Sequence, residues 1–78
     1  MIKVCELVRR RPGMSVEEFQ SYWRDVHGPI VSALPGLRRY VQDHPLPGGY
    51  RKGELPYDGV AELCFDTKEE LRAIADTA

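Results

Sequence analysis

The chain has only two cysteines in 78 residues, Cys5 and Cys64. They form no C-x-x-C pair, and neither His27 nor His44 stands at zinc-ligand spacing from them, which excludes a disulfide scaffold and a zinc finger. Both cysteines read as reduced, mostly buried small hydrophobes of a cytoplasmic protein. Long apolar runs are missing too: nothing approaches the ~20 residues of a membrane helix. Lys3 and Glu6 interrupt the one apolar stretch where a signal peptide would have its core. Neither charge sign dominates, with 11 basic and 12 acidic side chains and a net charge of −1, so nucleic acid finds no basic surface overall. There is no glycine-rich nucleotide loop, no flavin fingerprint, no metal cluster, no repeat and no low-complexity tract. The expectation is a cytoplasmic protein that works without cofactor or metal and binds neither nucleic acid nor membrane.

What is present is ordinary for a globular chain: 42% hydrophobic and 29% charged residues, too apolar for disorder. Residues 1–78 read as one domain, near the size at which a lone hydrophobic core becomes marginal and a partner subunit helps. Residues 2–8 are β-rich and short, hence a strand. Arg11-Pro12-Gly13-Met14 is a turn. Ser15-Val16-Glu17-Glu18 is a capping box, in which the Ser15 hydroxyl accepts from an amide one turn on and Glu18 reaches back. In the helix that follows, Val16, Phe19, Trp23, Val26 and Ile30 are spaced three, four, three and four apart, which paints one apolar stripe. Pro29 has no amide hydrogen, so the Asp25 carbonyl loses its helical partner and a kink or restart is expected at Gly28-Pro29. Leu34-Pro35-Gly36 ends the helix.

Residues 38–44 read as the second strand and residues 57–65 as the third. The intervening 45–56, rich in proline and glycine, is a long loop and so a functional candidate. Thr67-Lys68-Glu69-Glu70 is a second capping box, with Leu71, Ile74 and Ala75 at helical spacing behind it. The order strand–helix–strand–strand–helix is the ferredoxin-like pattern without its fourth strand: an α+β fold, an antiparallel sheet with helices on one face. Antiparallel pairing places the third strand between the other two. Ala61, Leu63 and Phe65 suit the helix side, and Val60, Glu62 and Cys64 suit a second face that is sheltered but not dry. Two helices cover one face only, so a second copy covering the other is expected, giving a homodimer.

The stretch Phe19-x-x-Tyr22-Trp23-x-x-x-His27-Gly28-Pro29-Ile30, followed by Leu34-Pro35-Gly36-Leu37-Arg38-Arg39-Tyr40, resembles the EthD family, of the dimeric α+β barrel superfamily. Tyr57-Asp58-Gly59-Val60-Ala61-Glu62-Leu63-Cys64-Phe65 resembles its third strand. Members usually end in a fourth strand, so the chain looks like a partial version, incomplete at its C-terminus. The resemblance implies a dimeric α+β barrel. The family is named after a gene cluster for catabolism of an ether and is often filed under oxidoreductases. Other relatives are cofactor-free isomerases, or dehydratases and cyclases acting on polyketide-like aromatics. Cys64 sits where relatives often carry tryptophan. A related muconolactone isomerase has a third-strand cysteine that aligns on Leu63, so no catalytic thiol is carried over to Cys64.

His27 is the sharpest chemical candidate. It follows Trp23 by four residues, which makes the two side chains neighbours on a helix, and imidazole exchanges protons near neutral pH. The alternative is that it caps the broken helix or bonds a nearby carbonyl. Glu62, mid-strand among apolar neighbours, is a second acid/base candidate with a raised pKa if it faces a sheltered cavity; Glu6 stands similarly on the adjacent strand. The alternative for Glu62 is a solvated edge or an ion pair with Arg39. Trp23, Arg39, Tyr40 and Tyr57 are candidates for a substrate pocket, with plain core packing as the alternative for the aromatics. Arg9, Arg10 and Arg11 read as a solvated turn rather than an anion site, and His44 as exposed. The function that follows is a small cofactor-free enzyme on an aromatic, polyketide-like or lactone-like molecule, with His27 as acid/base. Its rival is a non-catalytic dimeric module that binds a small ligand or serves assembly.

Overall fold

A computed structural model describes residues 1–77. Strand β1 spans Ile2–Val8, helix α1 Val16–Tyr22, helix α2 Gly28–Ser32, strand β2 Leu37–Asp43, strand β3 Gly59–Phe65 and helix α3 Lys68–Thr77. A π-helical turn, Trp23–His27, joins α1 to α2, and a 3₁₀ turn, Pro47–Tyr50, lies in the long loop. The sheet is antiparallel in the order β1-β3-β2, as expected. The side chain of Ala75, the third apolar position foreseen for α3, lies outside the described residues. No helix among the described residues is long and apolar enough to cross a membrane.

Both helix starts follow from their capping residues. The Ser15 hydroxyl accepts from the Glu18 amide at 3.0 Å, and Thr67 Oγ1 accepts from the Glu70 amide at 3.2 Å. Each occupies a donor that the first helical turn leaves free. The proline break is a restart: α2 begins at Gly28, with Pro29 in its first turn. The Gly28 amide donates to the Trp23 carbonyl, a bond reaching five residues back where an α-helix reaches four, and the extra residue makes a π-turn. That insertion rotates everything after Trp23. Phe19 and Trp23 are buried as the stripe demands, but Val26 and Ile30 are 47% and 63% exposed, contrary to the spacing argument. Val31 packs against the core instead, and Gly28 is buried.

Register divides the strands into two faces. Glu6 pairs Ala61, and Ala61 pairs Gln42; Val4 pairs Leu63, and Leu63 pairs Tyr40. Cross-strand partners share a face, so these six look toward the helices. The core there is Phe19, Trp23, Ala61, Leu63 and Phe65, with Leu71 and Ile74 of α3 packed against it. Cys5, Val41, Val60, Glu62 and Cys64 take the opposite face, which no helix covers. Cys64 is buried there by its neighbours, whereas Cys5 is exposed, not buried as its residue type suggested. Both are free thiols.

Gly59 opens β3 directly beneath Trp23. A Cβ there would collide with Trp23 Cζ3 and lie 2.7 Å from Cη2. The indole thus fills the space a side chain would need. Gly59→Ala is expected to cost about 1–3 kcal/mol, the usual cost of overpacking a core, in a denaturant melt. In a Trp23→Leu background the same change should cost clearly less, because contacting residues are not additive. Equal costs in the two backgrounds would contradict this packing.

Candidate functional site

A cleft of about 240 Å³ opens between the helices and the sheet. Its floor is Ala61 and Leu63 of β3, flanked by Glu6 and Val8 of β1 and by Tyr40 of β2. Its roof is Phe19, Tyr22, Trp23 and His27, with Val31 behind. Apolar walls with a few convergent polar groups are the usual make-up of a small-molecule site. The volume exceeds the ~150 Å³ that holds benzene, and falls below the ~300–1,000 Å³ of drug-sized sites. It suits one ring.

Four of the residues singled out from sequence meet here: Glu6, Trp23, His27 and Tyr40. Trp23 forms the roof through a stacked contact with Phe19, with ring centroids 5.5 Å apart. His27 is exposed at the end of the π-turn and is the N-cap residue of α2, yet its side chain makes no capping hydrogen bond. The structural alternative for His27 therefore lacks the contact it needs. Glu6 joins the cleft, and Glu62 does not.

Glu62 lies on the uncovered face, where Lys3 Nζ sits 3.1 Å from its carboxylate. Its pKa is lowered, not raised as a sheltered cavity would have it. The neighbouring Asp43 and then Lys3 lower the Glu62 pKa, while Asp43 is pushed the other way by the same neighbour. The ion partner is Lys3; Arg39 acts on Glu62 only through its charge at longer range. Arg39 is exposed and lines a shallow hollow with Ser32 and Leu37. Tyr57 is 44% exposed and faces a separate hollow beside His44 and Val60.

Behind the cleft runs a polar chain that residue spacing does not reveal. Gln42 Nε2 donates to the Trp23 carbonyl at 2.8 Å and to the Tyr40 hydroxyl at 2.8 Å, and Gln42 Oε1 lies 3.0 Å from His44 Nε2. A carbonyl only accepts, so the amide must turn its NH₂ group to Trp23. Gln42 Oε1 then accepts from His44, which places the His44 proton on Nε2. His44 is not simply exposed: its ring packs on Trp23 at 4.8 Å, and burial holds its pKa below the usual histidine range. Gly28 leaves little room at this spot. A Cβ on it would stand 3.1 Å from Gln42 Nε2 and 3.3 Å from the Trp23 carbonyl oxygen, crowding the two atoms that fix the π-turn.

Arg10 is not a solvated turn residue either. Its backbone amide donates to Asp58 Oδ2 at 2.8 Å, its guanidinium pairs with Asp58 and Glu54, and Tyr50 donates to Asp58 Oδ1 at 2.8 Å. These bonds tie the long loop to the end of β1. The adjoining hollow beside Arg9 and Arg11 is larger, about 590 Å³, but more polar, and the Arg10 charge beside it is already neutralised. Among the described residues no cluster of three or more metal-binding side chains occurs.

A family model described as EthD domain matches residues 11–78. No curated protein and no solved structure matches the chain.

Proposed function

Because the chain belongs to the EthD domain family, and because its cleft gathers His27, Glu6 and Tyr40 on apolar walls, we propose that it is a small cofactor-free enzyme acting on a single-ring aromatic, polyketide-like or lactone-like molecule. His27 is its acid/base. The observation that carries this reading is the position of His27: at the cleft rim, exposed, with no structural bond to its side chain. Proton transfer by a positioned imidazole needs no cofactor. Glu6 takes the supporting role given earlier to Glu62, because register turns it into the cleft. Trp23 and Tyr40 form the ligand walls; Arg39, Glu62 and Tyr57 fall outside. The second reading, a non-catalytic ligand-binding module, is favoured by the same cleft if nothing is turned over. Incubation with single-ring lactones and enolisable ketones, without added metal, flavin or nucleotide, separates them. Turnover supports the enzyme, binding without turnover supports the module, and neither contradicts both.

The uncovered sheet face fits a second copy. Leu7 is 56% exposed there, beside Val41 and Val60, and a face-to-face dimer would bury them while leaving the cleft, on the opposite side of each sheet, open. Sedimentation equilibrium at micromolar concentration is expected to give a dimer. A stable, folded monomer would contradict the arrangement.

A further inference from the structure

We propose that Tyr40 is the oxyanion donor of the cleft, a hydroxyl whose proton is reserved for the carbonyl or phenolate oxygen of a ring-sized ligand. The inference rests on the reading of the cleft as a ligand site and adds the chemistry of what it binds.

Gln42 Nε2 carries two hydrogens. One is committed to the Trp23 carbonyl at 2.8 Å and the other points to the Tyr40 oxygen, also at 2.8 Å. The Tyr40 hydroxyl is therefore the acceptor in that bond, and its own hydrogen is free to donate elsewhere. A hydroxyl that already accepts from an amide is polarised, which makes it a better donor. The Trp23 carbonyl, which can only accept, sets this orientation of the amide, and His44 Nε2 meets the other amide atom in the tautomer that suits it. Tyr40 thus lines the cleft with a polarity that a flip of Gln42 can reverse only by losing the bond to the Trp23 carbonyl.

The layout of charge around the cleft gives that donor a purpose. Glu6 and Tyr40 stand on β1 and β2, the two strands on either side of β3, so roughly 10 Å of apolar floor separates them. His27 and Tyr22 stand above. A ring lying on Ala61 and Leu63 would direct its oxygen to Tyr40 and present its edge to His27. His27 can then take a proton from the carbon beside a carbonyl. The C–H electron pair becomes the new C=C bond, the carbonyl π pair moves to oxygen, and the Tyr40 hydrogen bond stabilises the enolate as its charge develops. In a ring with a β,γ double bond the enolate is conjugated, and return of the proton from His27 to the γ carbon isomerises the ligand; in a ring with a β-hydroxyl the enolate pair expels that hydroxyl, which leaves as water with the proton His27 holds. Neither outcome calls for an oxidant or reductant. The ligand class is an enolisable cyclic carbonyl compound or a phenol.

The test uses 4-nitrophenol, whose phenolate is yellow, with nitrobenzene as the control that lacks the oxygen. Titrations are made at about pH 8, where free imidazole is neutral and burial lowers the His44 pKa further. Wild type is expected to bind the phenolate in preference to the neutral phenol. Tyr40→Phe should weaken phenolate binding about 10- to 100-fold, the loss of one hydrogen bond to a charged group, and leave nitrobenzene affinity within a few-fold. Gln42→Glu, whose carboxylate accepts from the Tyr40 hydroxyl, should likewise abolish the preference for phenolate; a Gln42→Glu protein that folds and keeps the preference counts against the inference. Equal phenolate affinity in wild type and Tyr40→Phe overturns it, whatever His27→Gln does to turnover. Tyr40-dependent phenolate binding in a protein that turns over no carbonyl substrate upholds it and defeats only the enzyme reading. Absence of 4-nitrophenol binding at millimolar concentration overturns both.

Discussion

Trp23→Ala is expected to destabilise the protein by about 3–5 kcal/mol, the range for truncating a buried large aromatic. Trp23 is 3% exposed. It stacks on Phe19, packs against His44 and covers Gly59, so its removal opens a void touching both helix and sheet. Little is placed to fill it: Gly59 has no side chain, and Val26 and Ile30, the next positions of the apolar stripe, are exposed. A domain of this size has roughly 4–12 kcal/mol of stability in all, so the variant should be largely unfolded at modest denaturant. Circular dichroism is the readout, since Trp23 is the sole tryptophan and fluorescence disappears with it. A loss under about 1 kcal/mol would belong to a surface substitution and would contradict the burial of this ring.

Asp58→Ala should cost about 3 kcal/mol, the lower end of the range for breaking a buried ion pair. Asp58 is 4% exposed and receives the Arg10 amide, the Arg10 guanidinium and the Tyr50 hydroxyl. Its removal strands a guanidinium that is itself mostly covered, and Glu54, being exposed, compensates only in part. The same contacts set the acid response. Burial pushes the Asp58 carboxyl up, but the Arg10 amide, Tyr50 and the Arg10 side chain together outweigh it and hold the pKa below the usual aspartate value. The Tyr50 phenol is pushed up to about 12 by burial and by Asp58. A carboxylate with a depressed folded pKa contributes stability above its unfolded value near 4, lost as pH falls through the lower folded value. Wild type should therefore lose stability below about pH 4, and Asp58→Ala should lose less over the same interval. Parallel acid titrations of the two proteins would show that this aspartate is not the group responsible.

Local pattern carried most of the fold. Ser15 and Thr67 announce their helices because a hydroxyl that caps is chosen by its immediate neighbours. The alternation through Ala61, Leu63 and Phe65 announces a strand with one dry face because register permits no other use of those residues. The strand order followed from antiparallel pairing in the ferredoxin-like pattern. Legibility failed where a single hydrogen bond decided the geometry. Pro29 foretold that the helix would be interrupted but not that Gly28 would reach back to Trp23, and the π-turn that results moved Val26 and Ile30 out of the core. Glu6 and Glu62 looked alike in sequence; only the register of β1 on β3 sends one into the cleft and the other to Lys3. Gln42 carried no signal at all, since a strand glutamine is ordinary until its amide is seen to hold Trp23, Tyr40 and His44 together. Likewise Arg10 stood in a run of three arginines, with nothing local to mark it as the partner of Asp58.

The chemistry assigned to the cleft stands or falls on His27. The change His27→Gln keeps a side chain of similar size that can still hydrogen-bond, and removes proton transfer. Because His27 is exposed and makes no capping bond, melting should be unchanged within about 0.5 kcal/mol, as for a surface position. Turnover of whichever ring-sized substrate the wild type accepts should fall by about 10²–10⁴-fold, the contribution of a positioned acid or base. A folded His27→Gln protein that retains the wild-type rate would contradict the account and move the proton transfer to Glu6.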